Sequence, residues 1–295
     1  MKTAVCLAVK NAECIDSYCR HYLDTIGFDK VYLFEDKGSY SHLPFVEQFG
    51  KRVELAPLPI LPDRYYDGKT DTCVRQNKLY TWFLEQHRKD YDWIAFFDDD
   101  EYMVLPAHTT LHTFLAKFCH DSAIYLYWDI LRTEDIYDSC ENYLEQKNYH
   151  HYLKFEYNVE ITWKLKSIVN THICKNIINV HFADKNGVDI FGHTLEEIKK
   201  YQRIEQFVPY DKLYTIPHIK HFYMRSFESW FKKIIIRGDM TYGHRKLHEW
   251  FAWTDYKEHE KNAIIAQMMH KYHVPKRTFA EIIQRNADLK QYYSK

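Results

Sequence analysis

The stretch Trp93-Ile94-Ala95-Phe96-Phe97-Asp98-Asp99-Asp100-Glu101 decides how this chain is read. Five apolar residues in a row, three of them aromatic, suit a strand buried on both faces. The run ends abruptly in four acids. Adjacent carboxylates at a strand end repel one another and cost stability unless positive charge meets them. A hard divalent cation such as Mg or Mn suits carboxylate oxygens. One or two of these carboxylates would hold the ion, and the ion would hold a diphosphate. The alternative is a solvated acidic turn. The buried strand before the acids argues against that, because it fixes them at the ligand edge of a sheet.

Working outward, the first hundred residues alternate between a strand period and a helix period. Thr3–Val9 is a short apolar strand, and 11–26 reads as a helix stopped by Gly27. Lys30–Phe34 is a second strand that ends at Glu35-Asp36. A short helix (42–49) and a strand (52–56) follow, and 57–69 is a loop with three prolines. Asp71 can cap a helix over 72–89, whose Leu79, Trp82 and Phe83 mark one apolar face. Such alternation implies a mixed, mostly parallel α/β sheet flanked by helices, with right-handed crossovers. Ligands then gather at the carboxyl ends of the strands, where both Asp36 and the acidic cluster lie. Farther on, 109–119 reads as a helix, 122–128 as a strand, and 137–165 as polar, Tyr-rich loops. The end reads as helical over 226–237, 244–271 and 276–287.

Composition bounds the rest. A chain of 295 residues with 46% hydrophobic content can build one large domain or two small ones. With 40 basic against 41 acidic residues it lacks the excess that neutralising nucleic-acid phosphates favours, so duplex nucleic acid is not expected as a main partner. The seven cysteines are odd in number and show no C-x-x-C pair, which points to a reducing, cytoplasmic setting. The apolar start stops at Lys10-Asn11, too short for a signal peptide, and no run of spanning length exists. There is no P-loop, no G-x-G-x-x-G after the first strand, and no G-x-S-x-G elbow. What remains is an α/β protein that holds a nucleotide diphosphate through a metal.

The Asp98-x-Asp100 element followed by Glu101 resembles the nucleotide-sugar motif of GT-A glycosyltransferases, closest to the family 92 or DUF23-like group and its bacterial family-2-like relatives. Four further stretches carry the resemblance: Lys10-Asn11 with His21-Tyr22, the strand from Gly27 to Asp36, the pair Arg75-Gln76, and Lys220–Lys233 ending at Arg237-Gly238. It covers residues 4–105 and 217–238, and the middle more weakly, through Trp128 and Lys166-Ser167-Ile168-Val169. It implies a Rossmann-like GT-A catalytic domain over 1–240 and a helical extension over 241–295. Within the first, 1–105 would bind the nucleotide sugar and 106–240 the acceptor and metal.

The resemblance also implies roles. Asp100 would bind Mn or Mg directly, with Asp98 near the ribose or a metal-bound water, and His221 (rival His181) completing the metal shell. Lys10, Asn11, Asp36, Arg75, Asp98 and Asp99 would line the nucleotide sugar, while Arg225, Lys233 and Arg237 would neutralise the departing diphosphate. The family inverts at the anomeric carbon, which needs a carboxylate base. Glu101, Asp129, Glu134 and Asp135 are the unranked candidates, since the sequence after Trp128 departs from the family's small residues. The implied activity is transfer of a hexose, with galactose as the first donor to consider. The donor would be a UDP-sugar, and the acceptor a glycan or glycolipid such as lipooligosaccharide or capsule. The alternatives are a nucleotidyltransferase, disfavoured by the lack of glycine over residues 8–14, and a non-catalytic carbohydrate- or nucleotide-binding protein. Residues 225–237 combine Trp230, Phe231 and Ile234–Ile236 with basic residues, so this helix is expected either to pack in the core or to touch the inner face of a membrane.

Overall fold

The computed structural model describes residues 1–36, 41–61, 74–133, 143–145, 149–151, 164–200, 212, 214–236, 247, 250–251 and 254–276. The expected helix over 276–287 beyond its first residue, most of the Tyr-rich stretch 137–165, the boundary at 240/241, and Glu134, Asp135 and Arg237 lie outside the described residues, as does the side chain of Arg75.

The first half follows the expected alternation. Strand β1 (Thr3–Val9) leads through α1 (Ile15–Arg20) to β2 (Lys30–Glu35). Helix α2 (Leu43–Val46) with a 3₁₀ turn leads to β3 (Val53–Pro57), and α3 (Val74–His87) leads to β4 (Trp93–Phe96). β1 pairs in parallel with both β2 and β4, and β2 with β3. Helix α3 buries Leu79, Tyr80, Phe83 and Leu84 completely against this sheet, together with Ala4, Tyr32, Ile94 and Phe96. These four positions recur at helical spacing on one face, and each large apolar side chain so buried stabilises the fold by about 2 kcal/mol.

The second half adds strands that periodicity alone did not mark: β5 (Glu101–Val104), β8 (Leu165–Asn170) and β10 (His218–Met224). The expected strand at 122–128 is longer, as β6 (Ala123–Arg132). Between β5 and β6 runs α4 (Leu111–Leu115), capped by Thr110. Short strands β7 (His150–His151) and β9 (Val188–Asp189) pair with β6. The order is β3-β2-β1-β4-β8-β6-β10-β5. β8 is antiparallel to both β4 and β6, and β10 is antiparallel to β5, so the sheet is mixed, with its parallel half at the amino end.

β5 closes one edge of the sheet, and α1 supplies what that edge lacks. After Arg20 the helix widens into a π-helical turn over His21–Ile26, in which the Gly27 N–H reaches the Tyr22 carbonyl at 3.1 Å. Gly27 then adopts φ 94°, the left-handed stop expected there. The widened turn brings two side chains to the strand. The Tyr22 hydroxyl donates to the Glu101 carbonyl at 2.8 Å and accepts from the Met103 N–H at 3.1 Å. His21 Nε2 meets the Met103 carbonyl at 2.8 Å.

The chain divides into two units, one of residues 1–130 and 151–222, the other of residues 131–150 and 223–295. The second has its own core. Helix α6 (Phe227–Phe231), which follows the short α5 (Leu195–Ile198), begins at Ser226, whose side chain accepts from the Ser229 N–H at 3.0 Å. It continues into a π-helical turn over Lys232–Ile236, and α7 spans Glu258–Lys271. Phe227, Trp230, Phe231, Ile234 and Ile235 are buried with Trp250, Phe251, Ile264, Ile265 and Met268. Of the two expectations for this amphipathic stretch, core packing is the one realised. Glu228, buried on α6, accepts from Lys271 Nζ and the Tyr272 hydroxyl. Among the described residues no helix is long and apolar enough to cross a membrane.

Candidate metal centre at the carboxyl end of the fourth strand

β4 stops because the chain turns. The Glu101 N–H bonds the Asp98 carbonyl at 3.1 Å, and the Glu101 carboxylate reaches back to accept the Asp98 N–H at 2.9 Å. This reciprocal pair closes a tight turn over the four acids. Antiparallel pairing then sets His221 of β10 directly opposite Glu101 of β5, so both side chains leave the same face. The Phe222 N–H bonds the Asp100 carbonyl at 2.8 Å and holds the turn against β10.

Asp100, Glu101 and His221 are thereby gathered, all buried, with one donor atom from each lying within 4.8 Å of the others. His221 Nε2 stands 3.5 Å from Asp100 Oδ1. Trp128 of β6 packs its ring 4.2 Å from the His221 ring and 5.2 Å from that of His181, centroid to centroid. Glu101 Oε1 is buried without a hydrogen-bond partner. A buried carboxylate oxygen in that condition is costly, and a cation between the three donors relieves it.

Asp98 is occupied otherwise. Its carboxylate accepts from Lys166 Nζ at 2.8 Å and from the Gln76 side-chain amide. Lys166, fully buried on β8, also stands 3.3 Å from Glu101 Oε2. Burial works to raise Asp98, but the Lys166 ammonium and the hydrogen bonds from Lys166 and Gln76 outweigh it and hold the carboxyl below the usual range. Burial instead pushes Glu101 well above that range, against the pull of Lys166. Lys166 itself is held above the ordinary lysine value, because Asp98 and Glu101 together overcome its burial. With the three carboxylates Asp98, Asp100 and Glu101 ionised, one lysine leaves two negative charges uncompensated, which a divalent cation balances. His181, on the flank, is pushed down to about 3 by burial and by Lys166. It is therefore neutral, and its Nδ1–H donates to the Leu165 carbonyl at 3.2 Å.

The loop after β1 is shaped with equal care. Asn11 and Cys14 both take left-handed backbone angles, φ 49° and 57°. Two non-glycine residues in that region within four positions store strain of the kind found at ligand edges. Fully buried His42 ties this loop to the end of β2. Its Nε2 accepts the Ala12 N–H at 3.0 Å, so Nδ1 carries the proton and donates to Glu35 at 2.8 Å. Asp36 is fixed alongside by its N–H bond to the Val9 carbonyl at 2.8 Å.

Among the sequence-derived candidates, Asp98, Asp99, Asp100 and Glu101 share one turn, and His221 and His181 border it. Lys10, Asn11 and Asp36 lie at the ends of β1 and β2. Asp129 is buried on β6. Arg225 and Lys233 belong to the second unit. Glu101, one of the base candidates, lies in the buried trio with Asp100 and His221, and Asp98, expected near the ribose or a metal-bound water, bonds Lys166. The charge role of Lys166 and the amide role of Gln76 were missed. Both residues entered only through the resemblance; their local signals were a lysine beside the apolar residues Leu165, Ile168 and Val169, and a glutamine one helical turn before Tyr80.

No family model and no curated protein matches the chain. Among solved structures it overlaps partly with 4-diphosphocytidyl-2C-methyl-D-erythritol synthase from Anaerococcus prevotii, over 59% of this chain and 72% of that one, at 8% identity and TM-score 0.32. A second partial overlap is with glucosyl-3-phosphoglycerate synthase from Mycobacterium tuberculosis, solved with Mn2+, UDP and glucosyl-3-phosphoglycerate. It covers 43% of this chain and 44% of that one, at 14% identity and TM-score 0.27. Overlap this small carries no argument about function, which rests on the chain's own geometry.

Proposed function

We propose that this chain is a metal-dependent glycosyltransferase of the GT-A kind, moving a hexose from a UDP-sugar to a glycan or glycolipid acceptor with inversion. The observation that carries the reading is the buried trio Asp100, Glu101 and His221 at the carboxyl end of the parallel half-sheet, with Glu101 Oε1 lacking a hydrogen-bond donor. Two carboxylate oxygens and one imidazole nitrogen suit Mn2+, and Mg2+ less well. When bound, the cation supplies Lewis-acid stabilisation of the charge that develops on a departing diphosphate.

The chain's own residues do the remaining work. Trp128 fixes the plane of the His221 imidazole and keeps water from one side of it. Asp98, its charge secured by Lys166, is a third exposed and offers an acceptor to a ribose hydroxyl. Asn11 and Asp36 stand at strand ends that suit the rest of the nucleoside. With Glu101 turned to the cation, the base that takes the acceptor proton comes from Asp129, Glu134 or Asp135. The test is UDP release from a panel of UDP-sugars, with Mn2+ and with EDTA, for the wild type and Asp100→Ala. Mn2+-dependent hydrolysis of one donor, lost in the variant, supports the reading. Neither turnover nor UDP binding with any donor overturns it.

A further inference from the structure

We propose that Lys166 is a positioning residue that decides which carboxylate oxygens a cation can reach, and so makes the site accept a small ion such as Mn2+ and reject Ca2+. The inference rests on the metal-site reading above. Four carboxylate oxygens of Asp98 and Glu101 lie close to the trio, and three already carry a donor. Lys166 Nζ takes Asp98 Oδ2 at 2.8 Å, and the Gln76 amide takes Asp98 Oδ1. Glu101 Oε2 accepts the Asp98 N–H at 2.9 Å and lies 3.3 Å from Lys166 Nζ. The oxygen without a donor is Glu101 Oε1.

Glu101 therefore offers a cation one oxygen that carries no donor, and both Asp98 oxygens are already held by a donor each. Ca2+ draws on a larger set, about 6–8 oxygens, often through carboxylates gripping with both oxygens. A site of single-oxygen carboxylates and an imidazole favours a smaller ion of transition-metal type. Lys166 enforces this doubly. Its hydrogen bonds hold the two side chains in place, and its fully buried charge opposes any rearrangement that would bring more carboxylates onto one ion.

The experiment follows free aqueous Mn2+ by electron paramagnetic resonance while Ca2+ competes, with and without UDP. It compares wild type, Lys166→Met, and the double variant Lys166→Met with Asp98→Asn, which removes one charge of each sign and guards against misfolding of the single variant. In wild type Mn2+ binds and Ca2+ competes weakly. Without Lys166 the relative affinity for Ca2+ rises about tenfold, because Asp98 Oδ2 loses its lysine donor and the ammonium no longer stands beside Glu101 Oε2, so a larger ion can draw on more carboxylate oxygens. A purely structural role would lower both affinities in parallel and leave their ratio unchanged, and that outcome in either folded variant overturns the proposal. Ca2+ competing on equal terms in wild type overturns it before any variant is made. A wild type that binds no Mn2+, with or without UDP, instead refutes the metal-site reading itself.

Discussion

Replacing Tyr22 with Phe removes one oxygen atom and tests how the π-helical turn supports the site. The Tyr22 hydroxyl satisfies two backbone groups of edge strand β5, the Glu101 carbonyl and the Met103 N–H. The ring itself stays, stacked on Phe97 at 5.5 Å between centroids, so no cavity opens. Met103 keeps its carbonyl bond to His21, but its N–H and the Glu101 carbonyl lose their partner. Each buried backbone group left unsatisfied costs about 1–3 kcal/mol, so Tyr22→Phe should lose on the order of 3 kcal/mol. In a chain of this size that lowers Tm by roughly 6–12 °C. Differential scanning calorimetry and a denaturant titration read both quantities. Because Glu101 heads the same strand, Mn2+ affinity should fall as well. A variant within 0.5 kcal/mol of wild type, a limit at the level of about the usual surface-substitution scatter, would refute the claim that Tyr22 holds the edge.

Glu101→Gln should weaken Mn2+ by at least about tenfold in isothermal titration, since even partners behind metal ligands matter by that factor. Its apo-protein should be no less stable at neutral pH, because burial opposes the Glu101 charge. Acid sensitivity should trace partly to His21, which burial pushes from its ordinary 6.5 down to about 4. Between those values the unfolded chain binds a proton that the folded chain refuses, so stability falls as pH drops through that window, by about 3 kcal/mol in full. Urea unfolding at pH 7 and pH 5 should show a shallower pH dependence in His21→Gln, and an unchanged slope would show that His21 is not the group responsible. Phe83→Ala empties the centre of the α3 contact with the sheet and should cost about 3–5 kcal/mol in the same assay, whereas a loss below 1 kcal/mol would mean that α3 is not part of the core.

The parallel half was legible because β1, β2 and β4 are built on plain apolar runs and α3 shows its stripe. Trp93–Phe97 could hardly be anything but a buried strand, and Leu79, Tyr80, Phe83 and Leu84 follow helical spacing. The antiparallel half was obscured by the site it builds. β8 carries Lys166 and β10 carries His218, Lys220 and His221, so neither reads as an apolar run, although Lys166, His218 and His221 are buried. β5 begins with Glu101, a residue that argues against a strand on propensity yet is completely buried there. The acidic turn was legible as a candidate cation site from its four acids together with the buried strand that precedes them. Which acids gather with His221 was not, because that depends on a long-range ion pair from Lys166 and on the register between β5 and β10. Both are set by tertiary pairing across more than sixty residues, a distance at which local patterning is silent.

The central claim is that Asp100, Glu101 and His221 hold a divalent cation. The most direct measurement is anomalous diffraction at the manganese edge from crystals soaked in MnCl2 and UDP. The account predicts one strong peak bounded by Asp100 Oδ1, Glu101 Oε1 and an imidazole nitrogen of His221, with Lys166 still on Asp98. A peak that displaces Lys166 and takes Asp98 as its ligand, or no peak at the turn in crystals that show bound UDP, would contradict it.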